Sequence, residues 1–156
     1  MIDWGVVARA IHVVVVVAWI GGVWLVTTVL LPAMRRKPQQ EWTREFDAIE
    51  RLFAPQARIA ALLALLSGLY MLDEYDLWDR FRNGRYWWMH LMVGVWLVFA
   101  ALLFVIEPLI IRRTVSGHTA EPPRATLARM QWMHGVMLAL SMIAVFAAVA
   151  GSHGLF

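Results

Sequence analysis

The chain has no cysteine among its 156 residues. Disulfides, thiolate metal ligands, iron–sulfur clusters and cysteine nucleophiles are therefore excluded, which leaves imidazole and thioether groups as the soft metal ligands. The sequence also contains neither a glycine-rich nucleotide-binding motif nor a nucleophile triad. Kinase and hydrolase functions consequently have no support in this sequence.

Charged residues are scarce as well. Asp, Glu, Lys and Arg make up 16% of the chain and hydrophobic residues 61%, whereas a soluble domain is about 25% charged. The mean hydropathy is +0.62. Runs without charge cover residues 10–34, 59–72, 86–106 and 130–156, and a helix needs about 20 apolar residues to cross the bilayer core. The sequence predicts an all-α integral membrane four-helix bundle.

All 156 residues are assigned to one transmembrane domain with four spans. The predicted spans are about 5–33, 55–73, 86–111 and 126–151. We expect the first span to stay in the membrane, because its apolar stretch is too long for a signal peptide and no small-residue cleavage pattern follows it. Residues 40–54 have apolar side chains at helical spacing, which predicts an interfacial amphipathic helix. The second span is expected to begin near Pro55, with Arg58 reaching to the headgroups.

Basic residues in the loops predict the orientation of the bundle. Ten of them flank the connections between spans 1 and 2 and between spans 3 and 4, whereas Arg9, Arg80, Arg82 and Arg85 lie on the other side. The positive-inside rule therefore places both termini on the outer, periplasmic side of a bacterial inner membrane. The isoelectric point near 10.0 follows from these anchoring residues, so we expect no nucleic-acid partner.

Three histidines, His12, His90 and His134, lie in three different spans. Ionisable side chains inside a membrane are costly and usually functional. At a rise of 1.5 Å per residue, His12 lies roughly 12 Å and His90 roughly 6 Å from the outer interface, so the two could face each other. His134 could replace His90 as a partner or serve a second site. A single histidine could instead hydrogen-bond only to a carbonyl or a serine.

The first interpretation of the histidines is a haem site. Neutral imidazole is an axial ligand for haem iron, and histidines on separate helices of a bundle could hold the ring between them. Arg9, Arg82 and Arg85 lie at the same level and could pair with haem propionates through two hydrogen bonds each. Contact with lipid headgroups is the alternative role of these arginines.

The second interpretation is a copper site. Five methionines lie close to two of the histidines along the chain: Met89, Met92, Met130, Met133 and Met137. Thioether and imidazole groups suit Cu(I). Methionine is also an ordinary residue for filling gaps between helices, so this pattern leaves copper binding or transport as an alternative to haem.

Three motifs resemble two related membrane families. In the first span His12 is followed by Trp19 seven residues later and by Leu31-Pro32-Ala33; residues 66–69 read Leu-Ser-Gly-Leu, and residues 87–92 read Trp-Trp-Met-His-Leu-Met. This pattern resembles the copper resistance protein D-like family and the bacterial membrane protoporphyrinogen oxidase family of the HemJ type. The resemblance implies that the protein binds b-type haem and that His12 and His90 contact it. Met92 occupies the position at which the oxidase family has a functional lysine.

These observations favour a b-type cytochrome that transfers electrons or carries out redox chemistry. Its expected partners are the lipid bilayer and a quinone or another small redox molecule, with a homodimer left open. Copper binding or transport and a protoporphyrinogen oxidase-like activity are the alternatives, so enzymatic activity and catalytic residues stay undetermined. Glu107 would relay protons if buried, or bridge to Arg112 or Arg113 at the interface.

Overall fold

The computed structural model describes residues 2–109 and 124–155, and this part of the chain is almost entirely helical, without strands. Four helices are long and apolar enough to cross a membrane, which confirms the predicted all-α class and the four spans. The helices are α1 (Trp4–Leu25), α2 (Leu31–Met34), α3 (Gln39–Glu74), α4 (Trp87–Ala101) and α5 (Arg124–Ser152). Two short 3-10 turns, Trp78–Arg82 and Gly84–Tyr86, connect α3 to α4. The chain is therefore a multi-pass membrane protein.

Helix α3 is continuous where the sequence suggested a boundary. The expected interfacial helix over 40–54 and the expected second span over 55–73 form one helix, with Pro55 inside it. Proline has no N–H group and removes one backbone hydrogen bond of the helix. The Gln56 side chain, next in sequence, donates to the Leu52 carbonyl over 3.1 Å, which adds a local bond beside the missing one.

The first and third helices are antiparallel and pack closely. Gly5 faces the Tyr75 side chain at one end of the pair, and Gly22 faces the Phe53 ring at the other. Helix α3 also carries buried alanines spaced three or four residues apart: Ala54, Ala57, Ala61 and Ala64. Small residues let helix backbones approach closely in a membrane, so α1 and α3 form the most extensive helix pair of the bundle.

The remaining helices complete an up-and-down bundle. The Trp96 indole N–H on α4 donates to the Ala61 carbonyl of α3 over 2.9 Å, and the Trp88 ring packs against Gly151 of α5. We call the end where α1 begins and α5 ends the terminal end. The other end, where Arg35, Arg36 and Lys37 lie between α2 and α3, is called the arginine-rich end.

Side chains fill the middle of the bundle. A central cluster joins three helices through Trp19, Val23, Val95, Phe99, Met137 and Leu138. The Trp19 and Phe99 rings meet edge to face, with their centroids 4.9 Å apart, which is a favoured aromatic geometry. A second cluster lies toward the terminal end and contains Trp88, Met89 and Ala147. Large apolar side chains elsewhere are exposed on the outside of the bundle, where lipid would contact them.

Two π-helical turns interrupt the spans near the arginine-rich end. They cover Val26–Leu30, after α1, and Leu102–Ile106, after α4. In each, the N–H of the residue after the turn bonds to the carbonyl of the turn's first residue. The next bond of that pattern would need the N–H of Pro32 or Pro108, which proline does not have. Each π turn therefore lacks the backbone donor for its second carbonyl.

Candidate functional site

His12 is held against α3 through one side of its ring. Its Nδ1 lies 3.0 Å from the Ala64 carbonyl oxygen and 3.1 Å from the Ser67 hydroxyl oxygen. A carbonyl only accepts hydrogen bonds, so Nδ1 carries the proton and Nε2 carries the lone pair. Among residues 2–109 and 124–155, no group hydrogen-bonds to Nε2. The ring is thus fixed in the tautomer that a metal ion would require at Nε2.

The sequence of α3 makes this contact sterically feasible. A Cβ atom at Gly68 would lie 3.3 Å from Cε1 and 3.6 Å from Nδ1 of His12, so the missing side chain lets this edge of the ring approach the helix. The Ser67 hydroxyl donates to the Leu63 carbonyl over 2.5 Å, which leaves its oxygen free to accept from Nδ1. Two acceptors on α3 therefore orient the imidazole of α1.

His90 lies on the opposite side of its helix from the core. Helix α4 buries Trp88, Met89, Val95 and Phe99, whereas His90 is exposed. Its ring meets the Phe81 ring edge to face, with the centroids 5.3 Å apart. His90 consequently faces the surface of the bundle, while His12 faces its interior.

The two histidines nevertheless share one depth in the bundle. His12 lies beside residues 64–67 of α3, and Trp96 lies beside Ala61. Because α3 and α4 are antiparallel, moving six residues from Trp96 to His90 corresponds to moving to about residue 67 of α3. The rings thus lie level with each other on different sides of the bundle, and the structure does not bring them onto one ion.

His134 lies near the other end of the bundle. Its Nδ1–H donates to the Met130 carbonyl, one turn earlier, over 2.8 Å. The neighbouring Gly135 faces the Thr27 methyl group, with 3.9 Å to a Cβ built on the glycine. Thr27 is fifteen residues from His12, or about 22 Å along a helix. His134 and His12 therefore lie at different depths, and the structure does not bring these two rings together within one chain.

The three arginines proposed for propionates lie at the terminal end with other contacts. The Arg9 guanidinium lies over the Tyr75 ring, 5.0 Å from its centroid. Arg82 pairs with Asp79 over 3.6 Å at a fully solvated site. The Arg85 backbone N–H donates to the Asn83 side chain over 3.0 Å. All three therefore lie at the end of the bundle that is nearer to His12.

The methionines proposed for copper are divided between separate clusters. Met89 is buried in the cluster near the terminal end, with Met92 against it, whereas Met137 belongs to the central cluster. Met130 and Met133 are half-buried on α5 beside His134. Within the described ranges, no group of three or more His, Cys, Asp or Glu side chains forms a metal site. A copper site would thus have to use one of these clusters alone.

A half-buried ion pair toward the arginine-rich end was missed by the sequence reasoning. Arg58 of α3 donates from Nη2 to Glu107 over 2.6 Å and from Nε to the Leu103 carbonyl over 3.1 Å. Its side chain therefore turns toward α4 instead of reaching to the headgroups. Arg112 and Arg113, the partners expected for Glu107, lie outside the described residues. A carboxylate inside a span needs a cation at its own depth, and this rule would have found Arg58.

The comparisons with known proteins give a family without an assigned activity. A family model described as a domain of unknown function, DUF4149, matches residues 14–119. That range includes α2, α3 and α4, most of α1 and both π turns. No curated protein and no solved structure matches the chain.

Proposed function

Because the chain belongs to the DUF4149 family, whose description assigns no activity, we propose from its own residues that it is a membrane redox protein with a b-type haem on His12. The observation that carries this proposal is the Nδ1–H bond to the Ala64 carbonyl, which leaves Nε2 as a free lone pair. A histidine that ligates a metal typically donates its other N–H to such an acceptor. We propose that His12 would hold the haem iron through Nε2 when the cofactor is bound.

The residues around His12 have defined roles in this proposal. Ala64 and Ser67 fix the tautomer and the orientation of the ring and raise its basicity as a ligand. Arg9, Arg82 and Arg85, at the same end of the bundle, would pair with the propionates. Haem iron, when bound, supplies one-electron transfer, with a quinone or another small redox molecule as partner. His90 lies at the same depth as His12, but its side chain is on the outside of the helix bundle. We therefore propose His12 rather than His90 as the haem contact.

The location of the protein is part of the same proposal. The excess of basic residues at the arginine-rich end would place that end in the cytoplasm of a bacterium and both termini in the periplasm. His12 would then lie in the outer half of the inner membrane. Electrons would be exchanged near the periplasmic surface.

Copper binding is the second candidate function, and one observation favours it. His134 also has its Nδ1 bonded to a carbonyl, and the half-buried Met130 and Met133 lie on the same helix. Imidazole and thioether together suit Cu(I). An activity like that of protoporphyrinogen oxidase rests only on the sequence resemblance, and complementation of a strain that cannot oxidise protoporphyrinogen tests it.

The decisive experiment is an optical and metal analysis of the detergent-purified protein and two histidine variants. We expect a Soret band that shifts on reduction, and a loss of at least about tenfold in haem content for His12→Ala, because removing the ligand removes the site. His153→Ala is the matched control. The His153 Nδ1 also bonds to the carbonyl four residues earlier, over 2.8 Å, but the side chain is exposed.

Three outcomes would reject the haem proposal. One is a purified protein without haem, and another is His12→Ala with full haem content and an unchanged spectrum. The third is copper without haem that disappears in His134→Ala together with Met133→Leu. This last result would establish the second candidate function instead.

A further inference from the structure

The Arg58–Glu107 pair is a half-buried ion pair that joins two membrane-spanning helices. The Glu107 side chain is 14% exposed and the Arg58 side chain 32%, and both lie within membrane-spanning helices. Charges in such a setting persist only when they are paired and hydrogen-bonded. The pair lies toward the arginine-rich end, and Arg58 is six to nine residues of α3, about 9–14 Å, from the His12 contacts Ala64 and Ser67. It is therefore a separate polar site from the one around His12.

Arg58 also supplies a hydrogen bond that the second π turn lacks. The Glu107 N–H bonds to the Leu102 carbonyl, so it is not available to Leu103. The donor that would continue this pattern at Leu103 is Pro108, which has no N–H. The Arg58 Nε–H donates to the Leu103 carbonyl instead, over 3.1 Å. One guanidinium therefore neutralises the carboxylate and completes the backbone hydrogen bonding of the turn.

We propose that Glu107 is a proton-binding site reached from the arginine-rich end, and that binding of the proton releases Arg58 from α4. The carboxylate takes up one proton and becomes a neutral carboxylic acid, with no transfer of electrons. The attraction that holds the guanidinium in the bundle is then lost, and an unpaired charge there is costly. The long Arg58 side chain can instead move its charge to the headgroup layer.

Release of Arg58 has a direct consequence for α4. The Leu103 carbonyl loses its donor, and a backbone group without a hydrogen-bond partner is strongly unfavourable inside a membrane. The second π turn, Leu102–Ile106, must then open to water or rearrange its hydrogen bonds. Proton binding at a side chain would thus be converted into a change of helix structure, which is a common way to build a switch.

The other ionisable groups around this site are few. Between Trp87 and Leu109, Glu107 is the only charged side chain of its own segment. Helix α3, which packs against the second π turn, contributes Arg58, with Glu50 and Arg51 about two turns before it. Toward the same end of the bundle lie Arg35 after α2 and His134 and Arg129 of α5. Arg35 is bonded to the Gln131 side chain over 2.9 Å, and the Nδ1–H of His134 is bonded to the Met130 carbonyl. Arg58 is the group shown in contact with the Glu107 carboxylate.

Hydrogen–deuterium exchange of the full-length protein in lipid nanodiscs tests the proposal. We expect amides of a peptide covering residues 99–109 to lose about tenfold in protection as the pH falls, after correction for the chemical exchange rate. Glu107→Gln imitates the protonated carboxyl and should show the low protection at every pH. Asp79→Asn, which removes the exposed pair with Arg82, is the control and should keep the profile of the unmodified protein.

A second measurement covers the case in which Glu107→Gln fails to fold. Infrared difference spectra of the unmodified protein should show a protonated carboxyl band in the same pH range as the loss of protection. Protection that does not change with pH, or a folded Glu107→Gln protein that is as protected as the unmodified one, would overturn the proposal. A carboxyl band that titrates without any change at residues 99–109 would overturn the coupling to α4. Neither readout depends on haem.

Discussion

At the scale of single residues, His12 is set apart from the other histidines by its surroundings. Its ring is half-buried and bonded across the helix pair to Ala64 and Ser67, whereas His134 and His153 bond only to carbonyls and a serine of their own segment. A bond between two helices fixes a ring relative to both of them. His12 is therefore the histidine whose orientation the fold controls most directly.

The Ser67 hydroxyl should tune the proposed site without being essential to it. In Ser67→Ala, Nδ1 keeps the Ala64 carbonyl as an acceptor, so the tautomer is preserved while one orienting bond is lost. Loss of such a partner typically weakens metal binding by about 10 to 100-fold. We expect haem affinity to fall within that range and the midpoint potential to shift, as measured by haem titration and a spectroelectrochemical titration. Ser141→Ala, which removes a serine bonded within α5, should change neither value.

The sequence predicts how far along its span His12 lies, but it does not predict the direction in which the His90 side chain points. The position of a residue along a span follows from counting residues from the interface, so a depth can be predicted. The direction of a side chain depends on which face of the helix meets its neighbours. Helix α4 is apolar on all sides near His90 and offers no polar stripe to mark the lipid-facing side. The burial of Trp88 and Met89 in the structure shows which side of α4 faces the core and which side His90 occupies.

At the scale of helices, two adjacent glycines in α1 have opposite environments. A Cβ at Gly22 would lie 2.6 Å from the Phe53 ring, while a Cβ at Gly21 would meet nothing within 4 Å. Gly22→Ala should therefore separate α1 from α3 and destabilise the protein by about 1–3 kcal/mol, as overpacking usually does. Gly21→Ala should be neutral or stabilising by roughly 0.5–1 kcal/mol, because alanine favours a helix.

Thermal unfolding of the two glycine variants in the same detergent gives the comparison. The difference in Tm between them, rather than either value alone, reports the close contact of α1 and α3. Equal Tm values would mean that the Phe53 ring moves aside without cost.

The π turns show where helix prediction from sequence reaches its limit. The proline positions mark the ends of regular hydrogen bonding, since neither Pro32 nor Pro108 can donate. Whether the preceding turn becomes α-helical or π-helical depends on what else can satisfy the freed carbonyl. For Leu103 that group is Arg58, 45 residues earlier in the chain. The register between α3 and α4 cannot be read from either segment alone.

At the scale of the whole molecule, the absence of cysteine allows a direct test of orientation. Ser152 lies at the terminal end and Arg36 at the arginine-rich end, and both are exposed. With both termini in the periplasm, Ser152→Cys should react with a membrane-impermeant maleimide in cells whose outer membrane alone is permeable. Arg36→Cys should react only after the inner membrane is broken.

The reverse labelling pattern would invert the proposed orientation and place His12 in the inner half of the membrane. Labelling of both positions in intact cells would indicate two orientations in one population. The unmodified protein provides the background, because it has no thiol to react.

The alanine surface of α3 has a consequence for the order in which the chain assembles during synthesis. Alanine and glycine lose almost no side-chain entropy when they become ordered, so docking α1 onto α3 costs little beyond the backbone. Both helices leave the ribosome before α4 and α5 exist. We expect α1 and α3 to pack into a helical hairpin in the bilayer while translation continues. Helices α4 and α5 would then pack against this preformed hairpin.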